Sequence, residues 1–422
     1  MRLVELLSVS TMSNAAQGSP VLIAGAGPTG MSTALALHAR GVPATILEAE
    51  PEDRDRSGSR AIYVHGTTLR TLDRIHPGLA DELVSEGLVW PTRRTHWRGK
   101  KVFERTYSDS NGSREMPHFS SIPQERTEAY MHWALDEADI DIHWDCAVER
   151  VESTSECVRV GTADGREWET PYLVGADGGG SAVRNEIGAT FAGDQSTNSF
   201  IIADVEELED EDSTWPLERL FHYDDPEVGG RNVLLVPFTG GWRLDIQCHD
   251  DDDPEALCSD EQMREFVRTV MGERYEDNVY WVSTYQFKQV MADTFIDEHR
   301  RVLLAGEAAH LLAPFGARGM NSGIADADEA ASAIAVAYRA TTDAVARDEV
   351  ELYAARRERA ATYNLDAAGQ ALEYLQGDNP ITNLRKEAAA ALADYFEPAG
   401  EYLDDAPYGP HSSPPIVSTG NY

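Results

Sequence analysis

Apolar residues in the first fifty positions are arranged as a strand, a helix and a second strand. Residues 20–24, PVLIA, form a short apolar run that GAGPTG follows at once. The next stretch, MSTALALHARG, has apolar residues at helical spacing and closes on Gly41, and PATILEAE returns to a β-type run ending in acid. This order predicts a βαβ unit, in which a right-handed crossover joins two parallel strands.

The centre and the C-terminal third of the chain have different patterns. β-type segments such as NVLLVPFTGGWRLDIQC and YWVSTYQFKQVMA lie within about residues 196–290, between acidic loops, and predict a second domain built on antiparallel sheet. Before them, Asp164-Gly165 predicts a tight hairpin. Residues 324–375 and the stretch KEAAAALADYF have helical spacing, and the last residues are rich in Pro, Gly and Ser. The predicted fold class is α/β, with an antiparallel sheet domain and C-terminal helices.

The charge balance narrows the choice of partners. The chain of 422 residues carries 73 acidic and 36 basic residues, a formal net charge of -37, and only four of the basic residues are lysines. This charge disfavours nucleic acid and anionic membranes as partners. We interpret it as a solvated acidic surface adapted to a salty, halophilic cytosol, where a Debye length of about 3 Å at molar salt screens self-repulsion. A basic partner is the alternative.

The sequence predicts neither a membrane span nor a disulfide framework nor a metal site. It contains no run of about 18 apolar residues. We interpret residues 1–18 as a disordered leader or the product of a start codon placed too early, and we expect a cytoplasmic protein. The spacing typical of metal ligands is absent from the four cysteines, which are Cys146, Cys157, Cys248 and Cys258.

The glycine cluster after the first strand has the pattern of a dinucleotide site. Gly25 would allow a tight turn, Gly27 would let the backbone approach a pyrophosphate, and Gly30 would let helix and strand pack closely. The helix that follows offers N-terminal amides to phosphate. Glu48 ends the next strand eighteen residues after Gly30 and would accept hydrogen bonds from an adenosine ribose. A glycine-rich turn without a ligand is the alternative, and the cluster alone leaves NAD and FAD open. The positions between the glycines are filled by Ala26, Pro28 and Thr29.

Two later segments extend this pattern to a family. YLVGADGGGSAVRNEIG, at residues 172–188, places an acid and glycines after an apolar strand, and RVLLAGEAAH is followed by PFGARGMNSG at 314–323. With GAGPTG these segments keep the order and spacing of the FAD-dependent aromatic hydroxylases of the para-hydroxybenzoate hydroxylase type. The chain resembles that family over roughly residues 19–360.

The resemblance implies a reaction and a domain organisation. A member of this family binds FAD in a Rossmann-like domain, is reduced by NADH or NADPH without a separate Rossmann domain for the nicotinamide, and hydroxylates a small phenol-type ring with O2 through a flavin 4a-hydroperoxide. We accordingly divide the chain into a leader, an FAD-binding domain in three segments, an interleaved substrate domain in two, a helical region and an irregular tail. The leader is residues 1–18. The FAD-binding domain is 19–90, 121–190 and 291–340, and the substrate domain is 91–120 and 196–290. The helical region is 341–396 and the irregular tail is 397–422.

The resemblance also implies roles for single residues. Asp177 and Gly178 would serve FAD and the nicotinamide donor together, with Arg184 as a supporting charge. Pro314 would line the reacting face, as the catalytic position of the set. The residues that would present backbone groups to the isoalloxazine are Gly316, Gly319, Met320 and Asn321. Further cofactor contacts are implied for Arg60, Gln124 and Val148, although an arginine or glutamine at a helix start is also common without a ligand.

One position departs from the family pattern. Glu307 stands where the family has aspartate, and the extra methylene would shift the carboxylate by about 1 Å relative to the ribityl hydroxyls. This shift would loosen the cofactor or require a compensating backbone movement. We interpret His310, three residues later, as a structural hydrogen-bonding residue rather than an acid or base.

The sequence indicates the substrate-binding residues less clearly than the cofactor-binding residues. His222, Tyr223 and Arg243 are the polar candidates in the sheet domain, although strand alternation turns only every second residue inward and the register is open. A flavin-dependent prenyl-lipid reductase remains an alternative enzyme, and a halogenase is disfavoured because no WxWxIP stretch occurs. A non-catalytic flavin-binding sensor is the alternative outside enzymes. The aromatic ring, the nicotinamide preference and a homodimer all stay open.

Overall fold

The computed structural model describes residues 19–54, 61–106, 116–208, 216–377 and 379–408. The predicted leader, residues 1–18, lies outside the described residues. So does Arg60.

Strands occur along most of the described chain. They are β1 (Val21–Ala24), β2 (Ala44–Leu47), β3 (Val64–His65), β4 (Thr92–Trp97), β5 (Lys100–Thr106), β6 (Phe119–Ser120), β7 (Ile142–His143), β8 (Val148–Ser153), β9 (Val158–Thr162), β10 (Glu167–Thr170), β11 (Leu173–Gly175), β12 (Phe191–Glu206), β13 (Glu218–Asp225), β14 (Arg231–Phe238), β15 (Gly241–Gln247), β16 (Val279–Ala292), β17 (Val302–Leu304) and β18 (His310–Leu311).

Helices concentrate at the two ends of the described chain. They are α1 (Pro28–Ala39), α2 (Gly66–Ile75), α3 (Leu79–Glu86), α4 (Gln124–Glu137), α5 (Ala182–Glu186), α6 (Pro254–Leu257), α7 (Asp260–Met271), α8 (Arg318–Arg339), α9 (Asp343–Gln376), α10 (Pro380–Leu392) and α11 (Glu397–Asp405), with 3-10 turns at Pro226–Val228, Gly306–Ala308 and Ala406–Tyr408.

A parallel sheet forms the base of the molecule. Its strand order is β17-β11-β1-β2-β7, and every neighbouring pair is parallel. β1, β11 and β17 are fully buried, and α1 packs on β1 and β2. Strands buried on both faces read as continuous apolar runs in the sequence. The predicted βαβ unit is therefore confirmed as β1, α1 and β2.

An eight-stranded sheet forms the second layer. Its order is β18-β16-β12-β15-β14-β13-β4-β5. All of its pairs are antiparallel except β13 with β4, which run parallel, so the predicted antiparallel sheet is confirmed with one parallel pair. β4 and β5 come from an earlier segment of the chain and extend the sheet beyond β13.

The two faces of the large sheet differ in their packing. One face is a fully buried apolar layer that includes Ile201, Leu235 and Leu244 and packs against α7 through Phe266 and Val267. We call the opposite face the inner face, because its Phe200 packs against the segment that links β18 to α8. Alternation along each strand decides which residues lie on which face.

The C-terminal helices are more extensive than expected. The predicted irregular tail from residue 397 is wrong for residues 397–408, which form α11 and a 3-10 turn. The reason is a buried ion pair: Arg219 donates to Asp404 at 2.8 Å, both side chains are fully buried, and Thr95 donates to the same carboxylate at 2.7 Å. A charge pair that is removed from water requires these added hydrogen bonds, and they fix α11 against β13 and β4.

The predicted hairpin is confirmed as β9 and β10, joined by residues 163–166 with Gly165 at φ +85°. All four cysteines are free thiols. Among the described helices, none combines the length and the apolar character needed to cross a bilayer.

Candidate functional site

Four parallel strands end at one edge of the base sheet. β1, β2, β11 and β17 are followed directly by Gly25, Glu48, Ala176-Asp177 and the Gly306–Ala308 turn. In open parallel sheets this carboxyl edge is where ligands bind. The structure therefore brings the three sequence motifs to one site, although nearly three hundred residues separate the first from the last.

The glycines of the first motif have three different environments. Gly25 has φ +100°, and a Cβ there would press on the carbonyl of Ala176, while a Cβ at Gly30 would overlap the carbonyl oxygen of Gly25. Both positions exclude a side chain because backbone lies against backbone. At Gly27 a Cβ would meet no atom within 4 Å, so open space lies in front of the start of α1, where no side chain caps the helix. A phosphate fits such an uncapped N-terminus.

Thr29 is the point where the first and third motifs touch. Its side chain lies so close to Gly306 and Gly323 that a Cβ at either glycine would collide with the Thr29 hydroxyl. The first turn of α1 therefore packs directly on the Gly306–Ala308 turn and on α8. Glycine at these positions is explained by this approach, since any larger residue would push the motifs apart.

Glu48 lies at the same edge of the base sheet, directly after β2. Its buried carboxylate accepts hydrogen bonds from the backbone of Ala26 at 2.5 Å and of Glu50 at 2.9 Å. The Glu48 carbonyl accepts from the Cys146 backbone at 2.7 Å, which brings the chain leading to Val148, the first residue of β8, beside the predicted ribose position. Glu48 is thus oriented by the glycine turn itself.

Asp177 and Arg184 connect the second motif to the third. Asp177 Oδ2 accepts from the Val183 backbone at 3.1 Å, whereas its shielded Oδ1 has no partner among the described residues. Burial raises the pKa of Asp177, against the hydrogen bonds at the start of α5. Arg184 donates to the carbonyls of Ala308 at 3.2 Å and Gly179 at 3.1 Å. Arg184 therefore links the turn at Gly179 to the turn at Ala308 by hydrogen bonds. Gly178, at φ +77°, lies in the turn that follows Asp177.

The turn that carries Glu307 is held from beneath by Asp326. The buried Asp326 carboxylate accepts from the Gly306 backbone at 2.9 Å, His310 Nε2 at 2.7 Å and Arg357 Nε at 2.5 Å. Burial alone would raise the pKa of Asp326, but Arg357 and His310 outweigh it and hold the pKa at about 2. His310 is therefore a structural partner, as expected, and Glu307 itself is exposed with no side-chain hydrogen bond among the described residues.

The loop from Ala313 to Ala317 has an exposed and an anchored part. Pro314 is exposed between buried Ala313 and half-buried Phe315, and the loop turns back where Ala317 donates to the Pro314 carbonyl at 2.8 Å. Phe315 packs edge-on against Phe200 and Phe287 of the large sheet, with ring centroids 5.8 and 5.3 Å apart. Pro314 consequently stands at the boundary between the two sheets.

The side chain of Asn321 is held by three hydrogen bonds. Its amide nitrogen donates to the carbonyls of Tyr63 at 2.9 Å and Ala317 at 2.8 Å, and its Oδ1 accepts from the His65 backbone at 2.9 Å. The His65 ring makes a further bond, Nε2 to the Gly316 carbonyl, at 3.0 Å. The glycine loop is thereby fastened to β3, a link that the sequence did not reveal.

The remaining predicted cofactor residues lie in several places. Met320 packs on the base-sheet core, and a Cβ at Gly319 would meet no atom within 4 Å. Gln124 is the first residue of α4 and is half-buried, with Nε2 donating to Glu128 Oε1 at 2.8 Å. Gln124 is therefore at a helix start, and Ser121, three residues earlier, donates to the Pro237 carbonyl of β14 at 2.7 Å.

The three predicted substrate residues do not form one site. His222 shares the face of Leu220, away from the inner face, and its Nδ1 lies 2.8 Å from Asp225 Oδ2. Alternation puts His222 and Tyr223 on opposite faces, so the two residues cannot contact one ring from the same side. Tyr223 lies on the inner side, where it is buried and donates to the Leu403 carbonyl of α11 at 2.7 Å. Arg243 lies on the inner face and forms a two-pronged pair with Asp204 at 2.8 Å.

The inner face contains residues that the sequence reasoning missed. Asp204, Asp245 and Phe200 lie there beside Arg243. The signal was present in WRLDIQ, where Arg243, Asp245 and Gln247 alternate with Trp242, Leu244 and Ile246. Such alternation marks the polar set as sharing one face.

The residues at the carboxyl edge fit the parts of FAD. The open space at Gly27 and the uncapped start of α1 suit the diphosphate, Glu48 suits the adenosine ribose, and Glu307 lies on the turn expected beside the ribityl chain. A profile described as an FAD binding domain matches residues 18–368. The chain belongs to the family of FAD-dependent aromatic monooxygenases. This assignment agrees with the resemblance predicted from the motifs.

Known members of the family resemble this chain along most of its length. The 6-methylpretetramide 4-monooxygenase of Streptomyces rimosus is 32% identical over 81% of this chain, which spans only 59% of that protein. The para-nitrophenol 4-monooxygenase of Pseudomonas sp. strain WBC-3 is 26% identical, over 87% of this chain and 90% of its own length. The crystal structure of the p-nitrophenol 4-monooxygenase of Pseudomonas putida DLL-E4 has the same fold, with a TM-score of 0.75 at 22% identity, covering 93% and 98% of the two chains.

Proposed function

We propose that the protein is an FAD-dependent monooxygenase that uses NADH or NADPH and O2 to hydroxylate a small phenol-type aromatic substrate. The observation that carries the proposal is the position of the Ala313–Ala317 loop. One end of this loop continues from the cofactor turn at Glu307, and its Phe315 packs on the inner face of the large sheet. A ring bound against the inner face would therefore lie beside the flavin end of the cofactor site.

The residues of the chain have binding and positioning roles in this proposal. The turn at Gly27 and the start of α1 hold the diphosphate, Glu48 the ribose, and Glu307 the ribityl hydroxyls. The Asn321 and His65 hydrogen bonds keep the glycine loop in place. When bound, FAD supplies the redox chemistry that passes electrons from the nicotinamide to O2. The protein orients the ring and excludes water from the reacting face, where Pro314 stands.

The relatives support the aromatic class of substrate. The para-nitrophenol 4-monooxygenase of Pseudomonas, which this chain covers over 90% of its length, is named for a simple phenol. The Streptomyces relative is named for a larger polycyclic compound. We favour the small ring because this chain matches 90% of the length of the former relative and only 59% of the latter.

The test is a coupled turnover assay on FAD-loaded protein in molar potassium chloride. We expect a yellow protein whose oxidation of NADH or NADPH accelerates at least tenfold with a phenol from a panel of phenols, hydroxybenzoates and hydroxyphenylpropionates. One atom from labelled O2 should enter the product. A protein that binds FAD but shows no substrate-stimulated oxidation with any ring would contradict the proposal, and reduction of an added isoprenoid double bond without O2 would assign it to the reductases.

A further inference from the structure

The inner face holds a carboxylate with no compensating partner. Asp245 lies in the middle of β15, and its shielded Oδ1 has no hydrogen-bond partner among the described residues. Buried polar groups in folded proteins are almost always hydrogen-bonded, and an unpaired one costs about 1–3 kcal/mol. The unpaired oxygen makes Asp245 a candidate contact for a ligand.

The surroundings of Asp245 are apolar and incompletely packed. Its cross-strand neighbours on the inner face are Ile202 on β12 and Leu234 on β14, with Val236 next to Leu234 on that strand. All three keep part of their surface accessible, as Asp245 does, whereas Ile201, Leu235 and Leu244 on the opposite face are buried. Half-accessible apolar side chains around one carboxylate form the wall of an apolar site with a single acceptor, the arrangement that a ring carrying one hydroxyl requires.

The charged neighbours of Asp245 leave it unpaired. Arg243 is two residues away on the same face, and its guanidinium makes two bonds of 2.8 Å to Asp204. Asp204 adds a like charge, and the neighbours on β14 are uncharged. Burial raises the pKa of Asp245 to about 7, which the Asp204 charge supports and the Arg243 charge opposes. A base is most effective when its pKa lies near the working pH.

We propose that Asp245 contacts the hydroxyl group of the bound phenol and accepts its proton. This inference rests on the proposed hydroxylation. Loss of the O–H proton to Asp245 leaves an electron pair on the phenolate oxygen, which activates the ortho and para carbons. The ring then forms a C–O bond to one atom of O2, the other leaves as water, and the two electrons come from NADH or NADPH. The ring carbon loses its hydrogen as a proton, and Asp245 returns its proton to the phenolate.

The inference also specifies how the ring enters. A substrate carboxylate beside Asp245 would face two acidic side chains and be repelled, while a hydroxyl would gain an acceptor. Neutral phenols should therefore be preferred over hydroxybenzoates that place the acid at that position.

The test compares Asp245→Asn with wild-type protein, both loaded with FAD. Removing a general base costs about 100-fold to 10,000-fold in rate, so we expect product formation from an unsubstituted phenol to fall at least 100-fold. FAD affinity and substrate-free NADH or NADPH oxidation should change less than twofold. The exposed Asp251, six residues further along the chain, provides the matched control Asp251→Asn, which should equal wild type.

Acidic phenols separate a proton acceptor from a structural residue. Halogenated or nitrated phenols that are already ionised at the assay pH need no base, so they should restore most of the rate of Asp245→Asn. The pH profile of the variant should follow the pKa of the phenol instead of the limb near pH 7 seen in wild type. Equal loss with acidic and ordinary phenols, or a variant retaining over half of the wild-type rate, would overturn the role of Asp245. If wild type and Asp251→Asn hydroxylate no phenol at all, the proposed function itself fails.

Discussion

Asp326 in the cofactor layer and Asp245 in the large sheet differ in the hydrogen-bond partners and the pKa of their carboxylates. Asp326, under the cofactor turn, has three donors and a pKa held at about 2. Asp245, on the inner face of the large sheet, has an unpaired oxygen and a pKa raised to about 7. Asp326 is fully paired within the protein, whereas Asp245 keeps an oxygen for which no described residue is a partner. We read the compensated acid as support for the fold and the uncompensated one as a contact for a ligand.

The largest effect is expected from breaking the compensated site. Arg357→Met should lower the free energy of unfolding by roughly 3–5 kcal/mol at pH 7, because it leaves the Asp326 charge buried without its main partner. Denaturant titration in high potassium chloride measures this. Arg356→Met is the control, since Arg356 is half exposed and lies 3.4 Å from Glu329. An equal loss of unfolding free energy in both variants would show that the effect does not come from the pairing of Asp326.

The next effect concerns cofactor affinity without loss of fold. Gly27→Val should weaken FAD binding at least 100-fold, or roughly 3 kcal/mol, because the side chain would fill the open space in front of α1. A Cβ at this position meets no protein atom within 4 Å, so the circular dichroism spectrum should stay unchanged. Gly369→Ala, in α9, is the control and should bind FAD normally. A Gly27→Val protein with undiminished flavin absorbance after gel filtration would contradict the diphosphate site.

A smaller effect tests Asp245 through stability alone. Its folded pKa is about 7 and the unfolded value is near 4, so the protonated acid stabilises the fold at low pH and this contribution is lost as pH rises through about 7. Asp245→Asn should therefore be more stable than wild type by about 1–2 kcal/mol at pH 8. The difference should shrink towards pH 4.5. Thermal melts at the two pH values measure it, and a difference independent of pH would disprove the raised pKa.

The smallest effect is expected at Glu307. Its side chain is exposed and unpaired among the described residues, so Glu307→Asp should leave the melting temperature unchanged. Restoring the family's shorter acid should leave FAD affinity equal or up to about tenfold tighter, a change of at most roughly 1.4 kcal/mol. Fluorescence titration of FAD gives the affinity. A large loss of FAD would mean that another residue holds the ribityl hydroxyls.

The cofactor layer was predictable because its chemistry is local. Gly25, Gly27 and Gly30 are required by backbone geometry at a strand end, and such requirements appear as motifs within a few residues. The structure confirms that the three motifs meet. Individual cofactor contacts remain predictions, and Arg60 lies outside the described residues.

The substrate layer was harder to predict because its side chains meet only through strand register. His222 and Tyr223 are neighbours in sequence, so alternation had to place at least one of them off the inner face, and only the pairing of β13 with β14 showed which. Tyr223 is hydrogen-bonded to α11. The sequence suggested an irregular tail there, because the segment is rich in Asp, Pro and Gly. Asp245 carried no motif, and its isolation became visible only when its neighbours were known.

The pleat of the large sheet has a consequence for how this family diversifies. Ile202, Leu234 and Val236 lie on one side of strands whose alternate residues form the buried layer against α7. On the proposed function, substitutions at these positions should change the choice of aromatic substrate while the buried layer against α7 keeps its own residues.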